Sequence, residues 1–133
     1  MTIATRWLWV TIFWFVLMTL MLFLPDATEN LPTPLLFPQS DKVVHFAIFA
    51  ILAGLQYHTL NQYRQKLQTR QLIVIFLAFF NILFAASSEI IQEHWVDGRS
   101  GDVWDVVADV IGLIAGMGIA KLIALSSRRG TME

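Results

Sequence analysis

Four long apolar segments are the feature that most constrains what this chain can fold into. The first runs from Trp7 to Leu24 without a charged residue, and the others run from Val43 to about Leu60, from Leu72 to Ser88 and from about Val103 to Leu125. A helix of about 20 residues crosses a hydrocarbon core of roughly 30 Å, because each residue adds about 1.5 Å. The pattern therefore predicts an all-α membrane protein with a bundle of four transmembrane helices.

The composition argues against a soluble domain of the same length. Of the 133 residues, 56% are hydrophobic and 14% are charged, whereas soluble domains carry about 25% charged residues. So short a chain cannot bury apolar runs of this length in a core of its own. We expect a single domain over residues 1–133, with helices at about 6–24, 43–61, 71–93 and 103–125, the first being an uncleaved span.

The lysines and arginines orient the predicted helices, because cytoplasmic loops are enriched in these residues. Only Lys42 and Arg99 fall at one end of the predicted bundle. The seven others fall at the opposite end: Arg6, Arg64, Lys66, Arg70, Lys121, Arg128 and Arg129. We therefore expect a protein of the cytoplasmic (inner) membrane with both termini in the cytoplasm.

The first predicted outer loop, between helices 1 and 2, contains all four prolines of the chain, which are Pro25, Pro32, Pro34 and Pro38. Proline has no N–H to donate and disrupts a helix interior. We therefore expect this loop to be irregular.

The fourth predicted helix carries an unusual stripe. Asp102, Asp105, Asp109, Gly112 and Gly116 follow one another at spacings of three, four, three and four residues, which places them on one helix face. Glycines in this pattern let a second helix approach closely. The stripe therefore predicts that the carboxylates face protein rather than lipid, and Asp102 is a candidate helix cap. Ser100 is a second candidate cap.

Three short segments place most of the polar side chains at the outer end of the predicted bundle. Asp41-Lys42-x-x-His45-Phe46 begins the second helix, Glu89-x-x-Gln92-Glu93 ends the third, and Asp97-Gly98-Arg99-Ser100-Gly101-Asp102 leads into the fourth. An ionised Asp109 below the headgroups needs a partner, and we expect that partner to be Lys42, Arg99 or His45.

These segments suggest a site for an anionic headgroup. Lysine and arginine bind phosphate, so the predicted binding residues are Lys42, Arg99, Gln92 and Ser100. Histidine and carboxylates can exchange protons with a substrate, so the candidate catalytic residues are His45, Glu89, Asp105 and Asp109. The sequence contains no strong nucleophile motif, and whether the protein is an enzyme stays open.

Two other interpretations compete with this one. In the first, the protein is a non-catalytic structural or partner-binding membrane protein, and its polar cluster only locks the helices together through ion pairs. A metal site built from His45, Glu89 and the acids of the fourth helix would suit Mg²⁺, Ca²⁺ or Mn²⁺. We predict no metal and no cofactor, because pairing with Lys42 or Arg99 explains the carboxylates equally well. A net charge of −1 does not suggest a nucleic-acid partner.

The polar segments resemble those of the VanZ-like membrane protein family over roughly Gln39 to Ala120, whereas the first helix and the proline-rich loop match only in position. The matching residues are Asp41, Lys42, His45, Phe46, Phe49, Glu89, Gln92, Arg99, Ser100, Asp102, Asp105, Gly112 and Gly116. The family often has asparagine where this chain has Asp109. The resemblance implies a cell-envelope protein whose partners are membrane lipids or lipid-linked envelope precursors, and an association with reduced susceptibility to teicoplanin-type lipoglycopeptides.

Overall fold

The computed structural model describes residues 1–23, 40–63, 66–96 and 101–129. These residues form four helices and no strand: α1 (Ile3–Phe23), α2 (Ser40–Gln62), α3 (Leu67–Trp95) and α4 (Val103–Arg129). The prediction of four helices is confirmed, and their ends lie a few residues from the predicted bounds. The predicted proline-rich loop lies outside the described residues.

All four helices are long and apolar enough to cross a membrane. Their outward faces carry large apolar side chains, such as Leu20, Phe76, Ile114 and Leu122, which are 60–70% exposed. So much exposed apolar surface is stable only where lipid replaces water as the solvent. The chain is therefore a multi-pass membrane protein.

Helices α2 and α4 run parallel and form the most closely packed pair in the bundle. A Cβ added at Gly116 would overlap the carbonyl oxygen of Ala50 and lie 2.6 Å from its carbonyl carbon. A Cβ added at Gly112 would likewise overlap the carbonyl oxygen of Phe46. Only glycine permits this backbone-to-backbone approach. The glycine face of α4 therefore lies against α2.

Buried polar side chains join the helices away from their ends. Gln56 of α2 and Asn81 of α3 exchange two amide hydrogen bonds, of 2.8 and 3.2 Å. The Thr11 hydroxyl of α1 lies 2.8 Å from the Thr59 hydroxyl of α2. Between transmembrane helices such bonds contribute about 0.6–2 kcal/mol each. Each of these pairs satisfies its members within the bundle.

The apolar core lies where all four helices meet. Its buried members are Met18, Leu22, Ile48, Phe49, Leu52, Ala53, Ala85 and Leu113. The indole N–H of Trp14 donates to the Ile48 carbonyl oxygen at 3.0 Å, which ties α1 to α2 beside this core. The core thus holds α1 and α3 against the α2–α4 pair.

We expect Gly116→Ala to lower the free energy of unfolding by about 1–3 kcal/mol, the usual cost of overpacking. The added methyl group meets the Ala50 backbone, which can yield only if α2 and α4 separate. Thermal unfolding of the purified protein in one detergent measures the effect.

Gly118→Ala is the matched control, because no atom outside its own helix backbone and chain neighbours lies within 4 Å of a Cβ added there. Its stability should stay the same or rise by up to about 1 kcal/mol, the helix-propensity difference between glycine and alanine. Equal destabilisation by the two substitutions would contradict the close α2–α4 contact.

Candidate functional site

Charged side chains from three helices meet at one end of the bundle. The group contains five carboxylates, one lysine and one histidine, and we call it the acidic cluster: Asp41, Lys42, His45, Glu89, Asp102, Asp105 and Asp109. The cluster forms because α2 and α4 both begin at this end and α3 ends there. The positive dipole ends of α2 and α4 favour carboxylates in this position.

Lys42 pairs with two aspartates of the α4 start. Its Nζ lies 2.5 Å from Asp102 Oδ2 and 3.1 Å from Asp105 Oδ1. The side chain of Asp105 is 4% exposed, whereas those of Lys42 and Asp102 are 30% and 38% exposed. An ammonium group has three N–H donors, so one donor of Lys42 is left over after these two bonds.

Asp102 also caps α4. Its Oδ1 accepts a 2.9 Å hydrogen bond from the backbone N–H of Trp104, which satisfies a donor that a helix start otherwise leaves free. Its own backbone N–H donates to Glu89 Oε2 at 2.9 Å, so α3 is tied to the start of α4. The predicted capping role of Asp102 is confirmed, and Ser100 lies outside the described residues.

His45 lies in the middle of the cluster and is 1% exposed. Its Nδ1 is 3.1 Å from Oδ1 of Asp109, which is fully buried, and 3.8 Å from Oε1 of Glu89. On the other side of the ring, Nε2 is 4.0 Å from Asp41 Oδ1. Of the three partners predicted for Asp109, the structure places His45 beside it.

Three buried atoms of the cluster have no hydrogen-bond partner among the described residues. They are His45 Nε2, Glu89 Oε1 and Asp109 Oδ2. Leaving a buried polar atom unpaired costs about 1–3 kcal/mol, and more for a charged group. The cluster therefore offers more polar groups than the helix packing uses.

The residues predicted to bind a headgroup fall in different places. Lys42 lies in the acidic cluster. Gln92 is buried, and its Nε2 donates to the Leu22 carbonyl oxygen at 2.7 Å, which joins α3 to the end of α1. Arg99 and Ser100 lie outside the described residues. The Gln92–Leu22 bond and the contact of Glu89 with the Asp102 backbone were not predicted, because no spacing within one helix indicates either.

The cluster has the groups for two kinds of chemistry. His45 and Asp109 lie within hydrogen-bond distance and can exchange a proton with each other, and Glu89 lies 3.8 Å from the same ring nitrogen. The same three residues can also bind a metal ion, because one ligand atom from each lies within 4.8 Å of the other two. A second group with the same property contains Asp41, His45 and Asp105.

The Lys42 ammonium group, together with the Trp104 N–H, holds the pKa of Asp102 below its ordinary value of 3.8. Because this pKa is lower in the folded state, the ionised Asp102 contributes its full stabilisation above pH 3.8. That contribution is lost as the pH falls through the lower, folded-state pKa.

We expect Lys42→Met to raise the pKa of Asp102 toward 3.8, because the substitution removes the larger of the two causes. A carboxyl-carbon NMR titration of protein labelled at aspartate measures the change. Lys66→Met is the control, because Lys66 lies at the other end of the bundle, where α3 begins. An Asp102 pKa that Lys42→Met leaves unaltered would show that the pair does not form.

The chain matches the family model described as VanZ/LLP1 over residues 4–124. This match includes α1, whereas the resemblance noted in the sequence covered only α2, α3 and α4. No curated protein and no solved structure matches the chain significantly. With its four apolar helices and a family match over nearly its whole length, the chain belongs to the VanZ/LLP1 family of membrane proteins, which is associated with teicoplanin resistance.

Proposed function

We propose that this protein acts in the cell envelope by binding, or acting on, an anionic lipid or lipid-linked headgroup at the acidic cluster. The observation that carries the proposal is the set of unpartnered buried atoms on His45, Glu89 and Asp109. Evolution rarely leaves such atoms in a purely structural contact, because each one destabilises the fold. A headgroup that brings a hydrogen-bond donor, such as a hydroxyl group, to the two carboxylate oxygens would satisfy these oxygens, because ionised carboxylates only accept hydrogen bonds.

The rest of the bundle supports this interpretation over a purely structural one. Gln56 and Asn81 form a reciprocal pair of amide hydrogen bonds, so each of their side-chain nitrogen and oxygen atoms has a partner. Helix-locking groups thus form closed pairs in this protein, whereas the acidic cluster remains open. One further unpartnered buried atom in the described residues, Asn61 Oδ1, belongs to the opposite end of α2.

A headgroup would meet two features at this end of the bundle. The remaining N–H of Lys42, which is partly exposed, can donate to a phosphate oxygen. Trp95 and Trp104 are 84% and 67% exposed at the ends of α3 and α4. Tryptophan is enriched at the level of lipid headgroups, so both residues support a headgroup-level position for the cluster.

The proposal includes an orientation and a partner class. The distribution of lysine and arginine supports an inner-membrane protein with cytoplasmic termini, which directs the acidic cluster toward the outer leaflet. Lipid-linked envelope precursors present phosphate groups at such a surface. A site that binds them would connect this protein to the resistance association of its family.

The orientation is tested by labelling single cysteines with an impermeant thiol reagent on intact cells. The chain has no native cysteine, so Gln68→Cys and His94→Cys each create one site, and both positions are exposed at opposite ends of α3. We expect labelling at residue 94 from outside and at residue 68 only after permeabilisation. The reverse pattern would overturn the orientation.

Headgroup binding is tested with purified protein in nanodiscs that contain phosphatidylglycerol and phosphatidylcholine. We expect the wild-type protein to retain phosphatidylglycerol, measured by mass spectrometry. Lys42→Ala should bind this lipid at least about tenfold more weakly, since a hydrogen bond to a charged group contributes about 1.5–3 kcal/mol. Lys66→Ala, an exposed lysine at the other end, is the control. Hydrolysis of phosphatidylglycerol to diacylglycerol and glycerol phosphate would indicate turnover.

The structural alternative gives a different result. If the cluster only holds the helices together, Lys42→Ala lowers the unfolding temperature but leaves the lipid retained per folded protein equal to that of Lys66→Ala. That outcome would overturn the headgroup site.

A further inference from the structure

We propose that the acidic cluster holds a divalent transition-metal cation, Mn²⁺ or Zn²⁺, bound by His45, Glu89 and Asp109. The inference deepens the proposed function and rests on it in one respect, namely that the cation receives the headgroup phosphate. Its first part, the cation site, stands on the geometry of these three residues alone.

The distances among the three side chains suit ligands of a single ion. His45 Nδ1 lies 3.1 Å from Asp109 Oδ1 and 3.8 Å from Glu89 Oε1, and one ligand atom from each residue lies within 4.8 Å of the other two. Metal–ligand bonds of about 2.0–2.2 Å place neighbouring ligands roughly 3.0–3.5 Å apart. Small side-chain rotations therefore bring all three atoms to bonding distance.

All three ligands are buried, and among the described residues the two carboxylates each hold an unpaired oxygen. His45 is 1% exposed, Glu89 is 6% exposed and Asp109 is fully buried. Each of them has one polar atom without a hydrogen-bond partner in the described part of the chain. An acidic group on a protein surface would be hydrated, whereas Glu89 Oε1 and Asp109 Oδ2 are buried and unpaired within the described ranges, so that a cation beside them would stabilise them.

The charge balance among the described residues also calls for a cation. Lys42 is already bonded to Asp102 and Asp105. Glu89 and Asp109 are left with His45 as their nearest cationic or potentially cationic group. A neutral imidazole leaves two buried carboxylates uncompensated, and a divalent ion offsets both charges.

The structure thereby changes the balance between two interpretations of the sequence. From the sequence alone, pairing with Lys42 or Arg99 explained the carboxylates as well as a metal did. The two bonds of Lys42 direct this lysine to Asp102 and Asp105 and away from Glu89 and Asp109. This observation removes Lys42 from the partners available to Glu89 and Asp109, and it is the reason for proposing a metal here in place of the prediction of no metal.

Groups around the three ligands are placed to orient them. The second oxygen of Glu89 accepts the Asp102 backbone N–H at 2.9 Å, which fixes the carboxylate plane. The other nitrogen of His45 has Asp41 Oδ1 4.0 Å away. This distance is longer than a hydrogen bond, and a small rotation of the ring would let its second N–H donate to Asp41, as metal-binding histidines commonly do to a carboxylate.

The ligand set selects the class of ion. The sequence admitted Mg²⁺, Ca²⁺ or Mn²⁺ when all the acids of the fourth helix counted as ligands, but the structure, over its described residues, groups only one nitrogen with two carboxylates. Ca²⁺ prefers six to eight oxygen ligands, whereas this smaller set suits Zn²⁺ or Mn²⁺. Three protein ligands leave at least one coordination position open, as in metal sites that bind substrates. A phosphate oxygen in that position would explain how an anion binds beside five carboxylates.

The cation site is tested on the full chain purified in detergent, treated with a chelator and desalted. Mn²⁺ is titrated with electron paramagnetic resonance detection of the free ion, and bound Zn²⁺ is counted by elemental analysis. We expect one ion per chain. Glu89→Gln and Asp109→Asn should weaken binding by more than the roughly 10–100-fold that loss of an outer-shell partner costs.

Glu93→Gln is the matched control, because Glu93 lies one turn from Glu89 on α3 and is exposed. Its affinity for either ion should equal that of the wild type. Failure of the wild-type protein to bind one ion saturably would overturn the site, and so would equal affinity in Glu89→Gln, Asp109→Asn and Glu93→Gln.

Two further measurements keep the test decisive if a ligand variant misfolds. Asp41→Asn retains all three ligands. It should still weaken metal binding about 10–100-fold, because it removes the carboxylate that lies beside the second nitrogen of His45. Saturating Mn²⁺ or Zn²⁺ should raise the unfolding temperature of the wild type, and Ca²⁺ at the same concentration should not. Unchanged affinity in Asp41→Asn, together with equal shifts for all three ions, would overturn the proposal.

A chelator separates this inference from the proposed function. Retention of phosphatidylglycerol that disappears with chelator and returns with Mn²⁺ supports both. One bound ion per chain without lipid retention supports the cation site and overturns the headgroup proposal. Lipid retention without any bound ion supports the headgroup proposal and overturns the cation site.

Discussion

The backbone contact between α2 and α4 determines where the charged side chains of the acidic cluster lie. Because Gly112 and Gly116 touch the backbone of Phe46 and Ala50, the two helices have one fixed register. One to two turns toward the helix starts, the same register places Lys42 beside Asp105 and His45 beside Asp109. A slip of one turn would separate all of these pairs and would drive side chains into the glycine face.

The fold was predictable because its determinant is local. Each helix must supply about 20 apolar residues to cross a bilayer, and a run such as Trp7 to Leu24 shows this directly in the sequence. The fourth helix was predictable only by accepting Asp105 and Asp109 inside it. Both are buried, so they face protein as their spacing from Gly112 and Gly116 indicates.

The site was predictable in its membership and less so in its connections. Helical spacing placed His45 and Asp109 on inward faces at the same end of the bundle. Which of Lys42 and His45 meets Asp109 depends on the rotation of α2 against α4, and a single sequence does not contain that angle. The hydrogen bond from Gln92 to the Leu22 carbonyl oxygen is even harder to predict from the sequence, because every residue has a backbone carbonyl and none is marked as the acceptor.

The close contact of α2 and α4 also has a mechanical consequence. Two helices in backbone contact cannot slide past each other, so they move as one rigid body that carries Lys42, His45 and the two aspartates of α4. Helix α3 packs more sparsely against this body, and it supplies Glu89. The geometry of the cluster therefore has one adjustable component, the displacement of α3, and any opening or closing of the cluster would be a movement of Glu89 relative to a fixed frame.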